Sequence, residues 1–113
     1  MNNSNQKGKK GEYIAKHYLE KNNHIILYQN YHTKWGEIDI IAINPTHILK
    51  FIEVKNYKKN TLIHPLKIIQ RQYPKIQKAA LYYISKHSIK YSEIQFDAIL
   101  IENGVISNHY ERI

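Results

Sequence analysis

GEIDIIAINPTHILKFIEVK, residues 36–55, is the stretch on which the fold turns. It reads as two apolar, β-branched runs, GEIDIIAIN (36–44) and HILKFIEVK (47–55), broken at Asn44-Pro45-Thr46 by residues that favour a tight turn. Two antiparallel strands joined there form a hairpin. Side chains alternate faces along a strand, so Glu53 and Lys55 share a face with Leu49 and Phe51, and Asp39 shares one with Glu37, Ile41 and Ile43. With a three-residue loop at Pro45–His47, Asp39 faces Glu53 across the pair, their Cβ atoms roughly 5 Å apart. Asp39 lies near the start of its strand and Glu53 near the end of the next, so both fall at the end away from the turn.

Working outward, HIILYQNYH (24–32) reads as a preceding strand, and residues 8–21 as a helix with Ile14, Ala15, Tyr18 and Leu19 on one stripe. After the hairpin, KNYKKNTLIHP (55–65) reads as loop. A second helix is predicted to start between Gln70 and Pro74 and end near Lys86, with Tyr73, Ile76, Ala80, Tyr83 and Ile84 at helical spacing. Pro74 suits its first turn, where a missing N–H costs nothing. EIQFDAILI (93–101) and VISNHYERI (105–113) read as strands joined at Asn103-Gly104. The order α-β-β-β-α-β-β predicts an α/β fold, one mixed five-stranded sheet flanked by helices. A single domain is expected over residues 8–113, behind a disordered polar start at residues 1–7.

Charge points to a partner. Seventeen Lys and Arg against nine acids give +8 across 113 residues, with a pI near 9.6, a balance suited to a polyanion. From Val54 to Ser92 there is no acid, while Lys55, Lys58, Lys59, Lys67, Arg71, Lys75, Lys78, Lys86 and Lys90 fall there. Lys7, Lys9 and Lys10 open the chain, whereas Glu37, Asp39 and Glu53 concentrate negative charge in the hairpin. A basic surface around a small acidic focus is the pattern to explain; a basic surface kept for solubility is the bland reading of the charge alone. The expected nucleic-acid contacts are Lys9, Lys10, Lys58, Lys59, Arg71 and Lys75. No cysteine is present, which removes disulfides and thiolate metal sites. The N-terminus lacks the apolar core of a signal peptide and no stretch approaches a membrane span, so a cytoplasmic protein without membrane contact is expected.

Two carboxylates beside apolar residues lose solvation and repel, so they take up a proton, pair with a cation or bind a metal. Oxygen ligands suit a hard ion such as Mg²⁺, with Mn²⁺ as an alternative; Asp39 and Glu53 are the expected ligands. Lys55 then stands where it can orient an attacking water or stabilise charge on a phosphate. Glu12, on the first helix, can add a ligand or a hydrogen bond if that helix crosses the strand ends. The competing reading is an ordinary Glu53–Lys55 ion pair, with Asp39 bridged to another lysine and Glu12 paired with Lys16 four residues on.

At these residues the sequence resembles a known family. Gly11, Glu12, Ala15, Tyr18 and Leu19, then GEIDIIA (36–42), then FIEVK (51–55), then FDAI (96–99) are similar in order and spacing to the YraN-type endonuclease-like proteins. The resemblance implies the restriction-endonuclease-like fold of the PD-(D/E)xK superfamily, with Asp39 as the first acid, Glu53 the second, Lys55 the lysine and Glu12 the helical acid. Archaeal Holliday junction resolvases resemble it in fold, which implies branched or structured DNA as a ligand. Two positions depart from the pattern: Ile38 precedes Asp39 in place of proline, and Gln72 stands where a lysine is common.

The seven histidines are scattered without a close pair at ligand spacing, so zinc is not expected. Trp35 reads as a cover for the open end of the hairpin, and Tyr57 as a packed ring or, alternatively, a base-stacking one. Three functions compete: a metal-dependent endonuclease acting on DNA, a non-catalytic nucleic-acid-binding module of the same fold, and a scaffold for an acidic protein. A homodimer would enlarge the grip on a branched duplex.

Overall fold

In the computed structural model, which describes residues 3–59 and 61–113 with side chains from Gly8 onward, the hairpin closes as read. The Asn44 side chain accepts from the N–H groups of Thr46 and Ile48 (3.1 and 2.9 Å), and His47 takes the left-handed conformation (φ 63°) that turns the chain. The elements are α1 (Asn3–Lys21), β1 (Ile25–Thr33), β2 (Gly36–Ile43), β3 (Ile48–Tyr57), α2 (Pro65–Arg71), α3 (Tyr73–Lys86), β4 (Glu93–Glu102) and β5 (Val105–Tyr110). They form one mixed sheet in the order β1-β2-β3-β4-β5, antiparallel except for the parallel β3–β4 pair, whose connection carries α2 and α3.

The sheet has an apolar core on each face. Ala15 and Leu19 of α1 pack on Ile40, Ala42, Ile52, Ile99 and Ile101. On the opposite face, Ile69 of α2 and Ile76, Ala79, Ala80 and Tyr83 of α3 pack on Ile41, Leu49, Phe51, Ala98 and Leu100. Burying such side chains contributes about 1.5–3 kcal/mol each before entropy is set against it. Helix α1 comes close to β3 at the buried Gly11: a Cβ there would stand 3.1 Å from Cβ of Asn56.

Three features differ from expectation. Helix α1 extends back to Asn3, into the predicted disordered start; Met1 and Asn2 lie outside the described residues. Within the predicted loop, α2 forms because the His64 side chain accepts from Leu66 N–H (3.2 Å) and Pro65 occupies the first turn. It breaks from α3 at Gln72, since the Pro74 ring has no N–H to continue the ladder. Strand β5 ends at Tyr110, with Arg112 left-handed (φ 59°) and Ile113 N–H bonded to the Phe96 carbonyl (2.9 Å).

The feature that positions chemistry is where pairing stops. The β2–β3 register runs from Ile43↔Leu49 to Ile40↔Ile52 and goes no further. Beyond it, β2 stays paired to β1 as far as Gly36↔Thr33, and β3 stays paired to β4 as far as Tyr57↔Glu102. The sheet therefore forks, and one more step of the register places Asp39 opposite Glu53 at the crotch.

Candidate active site at the sheet fork

A strand that leaves its neighbour must still satisfy its backbone. At the fork the Asp39 carboxylate takes over this task, accepting from Val54 N–H at 2.8 Å. The exchange is reciprocal, because the Glu53 carboxyl accepts from the Asp39 backbone N–H. The two carboxyl groups also meet each other. Glu53 is 7% exposed, and burial, then the adjoining Asp39 carboxyl, push its pKa well above the ordinary range. Burial and the neighbouring acid both disfavour the ionised form of Glu53.

The fork opens into a cleft of about 380 Å³ lined by Gly36, Glu37, Asp39, Glu53, Val54 and Lys55 from the sheet and by Ile68, Ile69, Gln72, Lys75 and Ile76 from the helices. Lys55 is exposed at its edge. Among the described residues, no ion pair involves Glu53 or Lys55, so the simple Glu53–Lys55 bridge is absent. Glu12 arrives from α1. Its pKa is raised by burial and then by Asp39 and Glu37, against a hydrogen bond from the Asn30 side chain.

The predicted quartet is thus brought into one neighbourhood, with Asp39, Glu53 and Lys55 in the cleft and Glu12 beside it. Of the predicted phosphate contacts, Lys75 lines the cleft and Lys9 lines a shallow groove with Glu12. Lys10, Lys58, Lys59 and Arg71 are exposed but line neither. Gln72, noted as a departure, lies in the cleft wall. Asn30 and His32 were not anticipated, and Glu37 only as part of the acidic focus of the hairpin. His32 pairs with Glu37 at 2.9 Å, and Asn30 is left-handed (φ 53°) in mid-strand, a conformation Asn tolerates better than most residues. An Asn inside a β-branched, aromatic run was the available signal.

As a donor set, the fork fits a hard divalent ion. Asp39 and Glu53 offer adjoining carboxyl oxygens, Glu12 stands near, and a cation would offset the repulsion that raises the Glu53 pKa. A second acidic group, Asp97, His109 and Glu111, also gathers its ligand atoms within 4.8 Å. There Lys50 supplies the cation, its Nζ 3.4 Å from Glu111 and 3.9 Å from Asp97. Asp97 further accepts from Gln95 (2.8 Å), from Arg112 N–H (3.2 Å) and from Nε2 of His109 (2.8 Å), while Tyr18 bonds Nδ1 of that ring (2.8 Å). This network is satisfied from within. Tyr57 is likewise engaged, through Ser107 (3.2 Å).

No helix among the described residues is long and apolar enough to cross a membrane. Residues 11–101 match the model of the Uncharacterised protein family UPF0102. A UPF0102 protein of Desulfosudis oleivorans is 35% identical over 90% of this chain and 83% of its own length. One of Fervidobacterium nodosum is 37% identical over 99% and 87%, and one of Campylobacter lari 45% identical over 71% and 70%.

Proposed function

This chain belongs to the UPF0102 family, and from that premise we propose that it is a nucleic-acid-binding protein of restriction-endonuclease-like type, a Mg²⁺-dependent endonuclease acting on DNA. The observation that carries the reading is the pair of carboxyls that meet at the fork, Asp39 and Glu53, with Lys55, in no ion pair among the described residues, lining the same cleft. The resemblance of these residues to the YraN-type proteins and the PD-(D/E)xK pattern supports it, as does the net charge of +8.

Asp39 and Glu53 would hold Mg²⁺ or Mn²⁺, with Glu12 in support. Such an ion, when bound, supplies charge neutralisation at a phosphodiester and acidifies a water. Lys55, exposed at the edge of the cleft, would orient the attacking water and offset charge building on the phosphate. Gln72 and Lys75, on the opposite wall, offer neutral and cationic donors to the neighbouring phosphates. Val54 N–H fixes the Asp39 rotamer, so that acid is positioned before a ligand arrives.

The test is nicking of a DNA panel containing junctions, flaps, single strands and duplex, with Mg²⁺ or Mn²⁺. Cleavage is expected to disappear in Glu53→Ala and Lys55→Ala while salt-sensitive binding persists. Equal nicking by the wild type and both variants would mean a contaminant and end the assignment. Binding without metal-dependent cleavage would leave the non-catalytic module, and no binding at low salt would remove both.

A further inference from the structure

Next to the fork, the β1–β2 turn carries Trp35 against Tyr82 of α3, ring centroids 5.5 Å apart and planes 56° apart. Neither ring belongs to the two apolar cores, and Tyr82 and its neighbour Leu81 are 37% and 65% exposed. The pair stands between two shallow grooves. One, of about 430 Å³, is lined by His32, Thr33 and Lys34; the other, of about 410 Å³, by Lys78, Leu81 and Ser85. Cations lie on the rings, Lys34 Nζ 4.8 Å from the Trp35 centroid and Lys86 Nζ 5.4 Å from that of Tyr82.

The patch is continuous with the cleft. Lys75, Lys78, Tyr82 and Lys86 recur at intervals of three and four, so they form one stripe about 16 Å long on α3. Its first member lines the cleft, and Lys75 Cβ lies 3.4 Å from where a Cβ on Gly36 would stand. A basic and aromatic track thus leads from the carboxyl pair to the two rings.

We propose that Trp35 and Tyr82 stack on an unpaired base of a strand whose phosphates follow Lys75, Lys78 and Lys86 away from the fork. Resting on the nucleic-acid reading of that fork, this assigns a substrate class: strands with a single-stranded segment beside the cleavage position, not uninterrupted duplex. Three observations carry it. Aromatic faces interleaved with lysine are what base and phosphate together require. In continuous duplex the base faces are already stacked on one another, so only an unpaired base can use these rings. A second copy of the chain is the poorer occupant, since no carboxylate lines either groove and each copy carries +8, setting lysine against lysine.

Trp35 is the single tryptophan, so its fluorescence reports the patch directly. The experiment compares four DNAs by anisotropy and tryptophan emission: duplex, duplex with a single-stranded extension, the same extension made abasic, and the free single strand. The base-bearing extension is expected to bind about tenfold tighter than the abasic one and to quench Trp35, as one stacked base implies. Tyr82→Ala and Trp35→Ala should erase that preference while leaving duplex affinity intact, and Trp35→Phe should restore most of it. Equal binding of base-bearing and abasic extensions with unchanged emission overturns the proposal and leaves the nuclease reading standing. Sedimentation showing a wild-type dimer that Tyr82→Ala dissociates overturns it in favour of a protein interface. Wild type that binds none of the four at low salt defeats the nucleic-acid reading itself.

Discussion

Glu53 and Asp97 sit on hydrogen-bonded neighbouring strands, and both are withdrawn from water, at 7% and 0% exposure. Their surroundings could hardly differ more. Burial alone would raise the pKa of Asp97, but hydrogen bonds from His109, Gln95 and Arg112 N–H outweigh it and leave the carboxyl below its ordinary value. Glu53 has a second acid as its neighbour, and its pKa goes up. Depth in the sheet therefore does not decide the fate of a charge; the donors supplied around it do. Asp97 is satisfied from within, whereas Glu53 adjoins a second acid in a cleft, the feature on which the proposed metal site rests.

The comparison can be broken most forcefully at Asp97. Asp97→Ala strands the 5%-exposed Lys50 with Glu111 alone and should cost about 3–5 kcal/mol in chemical denaturation. A loss under 1 kcal/mol would show that the network is not the stabilising element described here. Next in size is Tyr18→Phe, which removes one hydrogen bond to His109 and should cost about 1 kcal/mol by the same measurement. Glu53→Gln is expected to move the other way, stabilising the metal-free protein at neutral pH by about 0.5–1 kcal/mol, because a buried acid disfavoured by Asp39 gives way to a neutral amide. Destabilisation there would mean that Glu53 is structural.

Acid and base limbs of the stability profile sharpen the same contrast. Asp97, depressed in the folded state, contributes stability above the ordinary Asp range, lost as pH falls through its lowered value. Glu53, elevated, contributes below the ordinary Glu range and loses that contribution as pH rises through its higher value. Denaturation midpoints across pH should accordingly fall at both ends. Glu53→Gln should flatten the high-pH limb and Asp97→Asn the acid limb, and divalent cation should rescue the high-pH limb of the wild type only.

The hairpin was legible because a period of two and a loop of fixed length leave one register, and Asp39 opposite Glu53 followed from it. Its fork was not. Whether two strands stay together beyond Ile40 and Ile52 depends on how β1 and β4 hold their outer edges, which no local pattern records. Helix α2 escaped notice because its cap is a histidine, outside the usual Ser, Thr, Asp and Asn. The Asp97 network was invisible for a different reason: Tyr18 and His109 are 91 residues apart, and only the finished sheet brings them within reach. Trp35 was read as a cover, and its exposed partner Tyr82 could not be named before α3 had a place.

Gly11 decides how near Glu12 can stand. With a neighbouring Cβ only 3.1 Å from the spot a methyl would fill, alanine at this position must lift α1 or displace Asn56 by a few tenths of an ångström. A lift of the helix carries Glu12 with it. Under the proposed Mg²⁺ reading, ligation tolerates little departure from about 2.0–2.1 Å, so that small step would withdraw the support expected of Glu12. The reach of the helical carboxyl is thus tuned by the size of its neighbour, and Gly11→Ala changes spacing while leaving every charge in place.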